Sequence, residues 1–245
     1  MIDLHSHVLP ALDDGPADDA AARAILVAAR ADGIEAIAAT PHVRADHPTT
    51  AAQMEAGVER VRGFGVDIRV LTGGELDLEF LRSLDDATLR RFGLGGNPGL
   101  LLVETPFYGW PMSLPDDIFG LQLRGFRILL AHPERNGDVQ EQPELVRRLV
   151  DAGVSVQLTA GSVDGRLGRR AAATAKQLLD LGLAHCIASD AHAPHVRAVG
   201  MRDAIAALGD AALGRWLTED VPAALLEGHE LPARPASRRR RFRKG

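Results

Sequence analysis

Residues 126–135 read FRILLAHPER, and residues 99–104 read GLLLVE. In each, an aliphatic run ends on a residue able to bind a cation, His132 in one and Glu104 in the other. A strand with one face in water alternates apolar and polar residues, whereas a strand covered on both faces is apolar throughout. Both runs are therefore expected to be strands inside an α/β layer structure. Working outward, similar short runs fall near residues 2–5, 34–40, 66–72, 154–160 and 184–189, which makes seven strands. Between them lie stretches of helical period rich in Ala, Leu and Arg, near 17–32, 49–63, 76–90, 114–124, 140–152, 167–182 and 196–208. A repeated strand-helix order implies parallel strands joined by helical crossovers, in a barrel or a doubly wound sheet. Gly33, Gly125, Gly153 and Gly182 each precede a strand, where a left-handed residue ends a helix.

The chain has 245 residues, 46% hydrophobic and 25% charged, which is the composition of a globular protein, and one barrel-like α/β domain reaches roughly 250 residues. A single domain over residues 1–231 is expected, followed by a basic, disordered tail over 232–245. Seven of the 28 Lys and Arg lie in the last twelve residues, which contain no acid. Residues 1–233 then carry 21 basic and 33 acidic residues, a net charge of −12. An acidic body repels a phosphate backbone, so nucleic acid is not an expected partner, and membrane contact would be peripheral, through the tail or a partner. The lone Cys186 excludes a disulfide framework and points to a reducing cytoplasm. No run reaches the ~18–20 apolar residues of a membrane helix, and MIDLHSHVLP does not read as a signal peptide. The dinucleotide and P-loop phosphate cradles are absent as well.

The cation-binding residues recur with the strands. His5 and His7 close the first, His42 follows the second, Glu75 the third, Glu104 ends the fourth, His132 follows the fifth, and Asp190 and His192 follow the seventh. In a parallel barrel the C-terminal strand ends share one face, where active sites assemble. Alternate residues of an extended segment point the same way, so His5-x-His7 and Asp190-x-His192 each aim two ligands into one site. Imidazole and carboxylate without thiolate suit manganese, zinc or ferrous iron. With Asp14, the candidates number nine, too many for one ion, so two or three ions bridged by a shared carboxylate are expected. Asp13 competes with Asp14 for the ligand role, the other capping or orienting. His47, His185, His195 and His229 have no such placement. Arg135 and Arg197 are expected to clamp a phosphoryl group in bidentate fashion. Phe107, Tyr108 and Trp110 follow Glu104 closely and offer a wall for a planar substrate ring, with Tyr108 and Trp110 the substrate contacts expected beside the two arginines.

On MIDLHSHVLPALDDGP, ATPH at 39–42, GGELDL at 73–78, LLVETPFYGWP at 101–111, LAHPERN at 130–136 and IASDAH at 187–192, the sequence resembles the PHP (polymerase and histidinol phosphatase) superfamily. Within it, the chain is similar to the metal-dependent bacterial tyrosine-protein phosphatases of capsule and exopolysaccharide biosynthesis. The resemblance implies a distorted seven-stranded (β/α) barrel and a three-ion centre, commonly of Mn2+, with Fe2+ or Zn2+ as alternatives. It implies one ion on His5, His7, Glu75 and Asp190, a second on Glu75, Glu104 and His132, and a third on Asp14, His42 and His192, with Glu75 shared. Arg135 and Arg197 match the family's phosphate-contacting arginines. The implied activity is hydrolysis of phosphotyrosine by metal-activated water, without a covalent phosphoenzyme. The implied partner is an autophosphorylated bacterial tyrosine kinase. A small-molecule phosphomonoesterase of the histidinol-phosphatase type is the alternative. Thr105 and the basic tail depart from the pattern without removing a ligand.

Overall fold

The computed structural model describes residues 1–195 and 197–236. Nine parallel-paired strands stand where seven were expected: β1 (Ile2–Ser6), β2 (Ala36–Ala39), β3 (His42–Val43), β4 (Arg69–Leu71), β5 (Glu75–Asp77), β6 (Leu100–Glu104), β7 (Arg127–Ala131), β8 (Ser155–Thr159) and β9 (Cys186–Ala188). The difference comes from two interruptions. Pro41, which has no N–H for a ladder, separates β2 from β3, and the Gly73-Gly74 pair separates β4 from β5. The halves fall into different sheets, one ordered β1-β2-β4 and one ordered β3-β5-β6-β7-β8-β9. A single closed barrel ladder is therefore not what the strands form; the architecture is mixed α/β with two parallel sheets. The sheets meet where Ser6 bridges Ala191, with the His7 N–H donating to Ala191 O at 2.8 Å and the Asp190 N–H donating to His5 O at 2.8 Å.

The aliphatic runs behave as their patterning requires. Every residue of β2, β6 and β8 is buried, each large side chain so covered being worth roughly 1.5–3 kcal/mol. The four glycines before strands, Gly33, Gly125, Gly153 and Gly182, have φ between 74° and 93°. Helices Asp19–Ala31, Ala51–Arg62, Leu114–Leu123, Arg169–Asp180 and Met201–Leu208 lie within the expected stretches. The helix expected over 76–90 is instead β5, a 3-10 turn at Phe80–Ser83 and a short helix Asp86–Arg91. Asp77 Oδ1 accepts the Glu79 and Phe80 N–H groups and turns the chain there. The helix expected over 140–152 is three short pieces, because Pro143 cannot continue the first of them. Residues 211–227, given no reading above, form two further helices joined by a π-helical turn at Trp216–Asp220.

The first residues of the expected tail are tied to this body. Trp216 Nε1 donates to Pro232 O at 2.9 Å, and Arg234 Nη2 donates to Leu179 O at 2.7 Å. The rest of that expectation, residues 237–245, lies outside the described residues. No helix among the described residues is long and apolar enough to cross a membrane.

The Gly73-Gly74 break is a packing requirement as well as an interruption. A Cβ on Gly74 would lie 2.6 Å from Phe92 Cδ1 and 3.2 Å from Val43 Cγ2, and Phe92 is itself a buried core residue with no room to yield. Gly74→Ala is expected to cost ~1–3 kcal/mol through overpacking. By calorimetry this is a fall in Tm of roughly 2–12 °C for a chain of this size. An unchanged Tm would show that the turn carrying Glu75 tolerates a side chain.

Candidate metal centre

Strand register brings the first group of side chains together. His42 stands opposite Glu75 between β3 and β5, Asp77 opposite Glu104 between β5 and β6, and Glu104 opposite Ala131 between β6 and β7, so His132 follows directly beside Glu104. The bridge between Ser6 and Ala191 does the same for His5, His7, Asp190 and His192. The buried Glu75 is the hub. Its Oε1 lies 2.8 Å from His132 Nε2 and 3.3 Å from His5 Nε2, and its Oε2 lies 2.9 Å from His42 Nδ1 and 3.3 Å from His7 Nε2. Glu104 stands 3.8 Å from both His42 and His132. Asp190 Oδ1 is 3.5 Å from the Nε2 atoms of both His5 and His7. Asp14 Oδ1 lies 3.2 Å from His192 Nε2 and 3.4 Å from His42 Nε2.

All nine residues singled out from the strand ends thus lie in one cluster. Three groups within it could each hold an ion: His5, His7 and Glu75; His42, Glu75 and Glu104; and His7, Asp14, His42 and His192. These overlap the three sets implied by resemblance but share His42 and His7 more widely. Asp13 is placed differently from Asp14. Its Oδ2 accepts from His7 Nδ1 at 2.7 Å and from the His42 N–H at 2.9 Å, behind the ligand face rather than on it.

A family model for capsular polysaccharide synthesis, CpsB/CapC, matches residues 1–220. The chain belongs to the CpsB/CapC family. It is 33% identical over 259 aligned residues to the tyrosine-protein phosphatase YwqE of Bacillus subtilis (strain 168), with 99% of each chain covered. It is 24% identical to the tyrosine-protein phosphatase CpsB of Streptococcus pneumoniae, over 78% of this chain and 83% of that one. Its structure superposes with a TM-score of 0.86 and 32% identity on a chain from the crystal structures of those two proteins, described there as metal-dependent tyrosine phosphatases. The match covers 97% of this chain and 100% of that one.

The donor set of this CpsB/CapC-family chain fits divalent cations by its unpartnered atoms. His42 Nδ1 and Glu75 Oε2 are 2.9 Å apart, a hydrogen-bond distance, yet neither atom has a hydrogen-bond partner. Asp190 Oδ1 and His192 Nε2 are likewise buried and unpartnered. Buried donor and acceptor atoms normally find hydrogen-bond partners, and unpartnered imidazole nitrogens and carboxylate oxygens gathered this closely are the donor chemistry a divalent cation takes. His5 Nε2 and His7 Nε2 lie 3.3 Å apart, bringing two imidazole nitrogens to the same space.

Charge at the cluster is held by competition between burial and carboxylates. Burial opposes charge on His5 and His42, but Glu75 with Asp190 lifts His5 to about 9, and Asp14 with Glu75 lifts His42 to about 10. Burial wins at His132, which falls to about 4 and is neutral at physiological pH. Burial and the Glu75 carboxylate push Glu104 up to about 8. Burial would also raise Glu75, but His5, His132 and His42 hold it well below the usual carboxylate range. Cation binding at such a cluster competes with protons on His5, His42 and Glu104, so affinity rises with pH.

Among the described residues, three of the four non-glycine residues with positive φ sit at this centre: His132 at 32°, Asp190 at 51° and Arg197 at 51°. Such strain, of order 1–3 kcal/mol each, persists where surrounding structure fixes a functional side chain. Arg135 Nη1 and Arg197 Nη2 both donate to Asp190 Oδ2, at 2.6 and 2.8 Å, leaving Oδ1 to face the imidazoles. The two arginine side chains are only 18% and 28% exposed. Of the aromatic group, Phe107 is the residue at the centre: its ring stacks on His132, centroids 6.2 Å apart, beneath the Arg135 guanidinium at 4.7 Å. Tyr108, 88% exposed, extends to solvent, and the backbone N–H of Trp110 donates to Asp138 Oδ2.

Of the histidines set aside, His47 stacks on His42 with centroids 5.9 Å apart, while His185 Nδ1 accepts the Val156 N–H in the body of the fold. Arg44 was missed. Its Nη1 lies 3.8 Å from Glu104 Oε2, and its position two residues after His42 carries the same alternation that marked His5 and His7. Gln157, bonded to His5 Nδ1 at 3.0 Å, was missed because a glutamine inside an apolar run carries no ligand signal.

Proposed function

We propose that this chain is a metal-dependent protein-tyrosine phosphatase whose cations are held by His5, His7, Asp14, His42, Glu75, Glu104, His132, Asp190 and His192. The observation that carries the reading is the convergence of these nine side chains around Glu75, with buried lone pairs aimed at common space. Membership of the CpsB/CapC family supports it. Three Mn2+ ions, with Fe2+ or Zn2+ as alternatives, match the number and N/O character of the donors. Bound divalent cations acidify water and neutralise charge on a phosphoryl group.

The chain's own residues supply binding and orientation. Arg135 and Arg197 present fixed positive charge beside Asp190, where an anionic phosphoryl group would lie, and planar guanidinium groups match phosphoryl oxygens in pairs. Phe107 covers His132 and offers its ring to a phosphotyrosine side chain, with Tyr108 and Trp110 extending the contact outward. Asp13 fixes the His7 ring so that Nε2 faces the cluster. The substrate class that fits is a phosphotyrosine protein, with an autophosphorylated tyrosine kinase of capsule or exopolysaccharide synthesis as the partner and the cytoplasm as the compartment. The domain doing this is residues 1–231, with the basic segment 232–245 outside the chemistry.

A nucleophilic thiol is the mechanistic competitor, and Cys186 does not serve. It is fully buried in β9, and burial pushes its thiol well above the usual range, away from the thiolate. Chelator-stripped protein is expected to lose hydrolysis of a phosphotyrosine peptide, to regain it with Mn2+, and to behave identically as Cys186→Ser. Loss of turnover in Cys186→Ser with metal content intact would overturn the metal mechanism, and faster hydrolysis of histidinol phosphate than of the peptide would overturn the substrate class.

A further inference from the structure

In the seven-strand frame, only β8 ends without a candidate ligand, yet it carries three buried polar side chains, Ser155, Gln157 and Thr159, of which the last two lie toward its C-terminal end. Gln157 Oε1 lies 3.0 Å from His5 Nδ1. An amide oxygen only accepts, so Nδ1 carries the proton, and Nε2 is the nitrogen left to face Glu75 and Asp190. Two residues further, the Thr159 N–H donates to Glu134 Oε1 at 2.9 Å. Glu134 is fully buried and lies on the Pro133–Arg135 turn, between His132 and Arg135. His132 occupies the left-handed region there, which a non-glycine residue keeps only where its neighbours fix it. The same turn is tied by Gln140 Nε2 donating to Glu134 O at 3.0 Å and by Asn136 Nδ2 donating to Pro106 O at 2.6 Å.

We propose that β8 is the orienting strand of the metal centre, with Gln157 and Glu134 as its positioning residues. Gln157 sets the His5 tautomer so that Nε2 is the metal-facing atom. Glu134, clamped on the Thr159 N–H, holds the turn that presents His132 toward Glu75 and Arg135 toward Asp190. The inference rests on His5 and His132 being ligands, as proposed above.

The test compares Gln157→Leu and Glu134→Leu, which remove the acceptor, with Gln157→Glu and Glu134→Gln, which keep one. Mn2+ is titrated calorimetrically into the stripped full-length protein, and the His5 Nδ1–H resonance is followed by NMR in the Zn2+-loaded form. Both leucine variants are expected to bind Mn2+ roughly 10- to 100-fold more weakly. Gln157→Leu is also expected to lose exchange protection at His5 Nδ1–H, and the conservative variants to keep what the leucine variants lose. Wild-type affinity in either leucine variant, a protected Nδ1–H in Gln157→Leu, or no rescue by the conservative variants would overturn the proposal. Should the leucine variants fail to fold by circular dichroism, Gln157→Asn and Glu134→Asp shorten the reach by one carbon: weakened Mn2+ binding supports the proposal and wild-type affinity overturns it. Wild-type protein that binds neither Mn2+ nor Zn2+ would refute the metal reading itself, a result distinct from equal affinities across the variants.

Discussion

Glu75→Gln is expected to disable the centre, lowering turnover of a phosphotyrosine peptide by at least ~10³-fold, or about 4 kcal/mol of transition-state stabilisation. The size follows from the position of the carboxylate. Its two oxygens stand within 3.3 Å of four imidazoles, those of His5, His7, His42 and His132, so it belongs to more than one of the possible ion sites. Glutamine keeps the shape and removes the charge, and its NH2 group turns donors toward nitrogens that should receive a cation. Metal content measured by mass spectrometry should fall together with turnover. Full metal content with turnover intact would remove Glu75 from the hub.

Arg135→Ala is the second large effect, with the opposite signature. A charge-assisted hydrogen bond to the phosphoryl group is worth ~1.5–3 kcal/mol, so kcat/KM should fall roughly 10- to 150-fold. Metal content should hold, because Arg197 still donates to Asp190 Oδ2 at 2.8 Å and the orientation of Asp190 survives. Arg135→Lys should recover only part of the loss, since a point charge replaces a planar fork and the contact with the Phe107 ring changes. If Arg135→Ala loses metal in proportion to activity, the guanidinium is a support for Asp190 and not a clamp on substrate.

The clustering of the candidate ligands was legible because its signal is local. All of those residues but Asp14 close an aliphatic run or follow it within a few positions, and parallel sheets turn that placement into convergence. The pieces that failed are the ones set by distant contacts. Pro41 and the Gly73-Gly74 pair were visible as residues, but their effect, which is to send the halves of two strands into different sheets, depends on what packs beside them: Phe92 against Gly74 and Leu94 against Gly73. The stretch 76–90 has helical composition, but its first residues pair into β5 between β3 and β6 and the Asp77 turn delays the helix to Asp86–Arg91. The roles of Asp13 and Asp14 were left open for the same reason. The two carboxylates are chemically equal, and only the fold turns one onto the back of the His7 ring and the other toward His42 and His192.

By itself the sequence determined the α/β layering, the burial of the strands on both faces and the identity of the side chains gathered at their ends, because periodicity and residue type are properties of neighbours along the chain. Tertiary structure alone decided which lone pairs share a space, which aromatic ring lies over His132 and which polar residues stand behind the ligands. Those are questions of direction, and side-chain direction is fixed by packing between segments far apart in the chain, as in the contact of Gln157 with His5 across 152 residues.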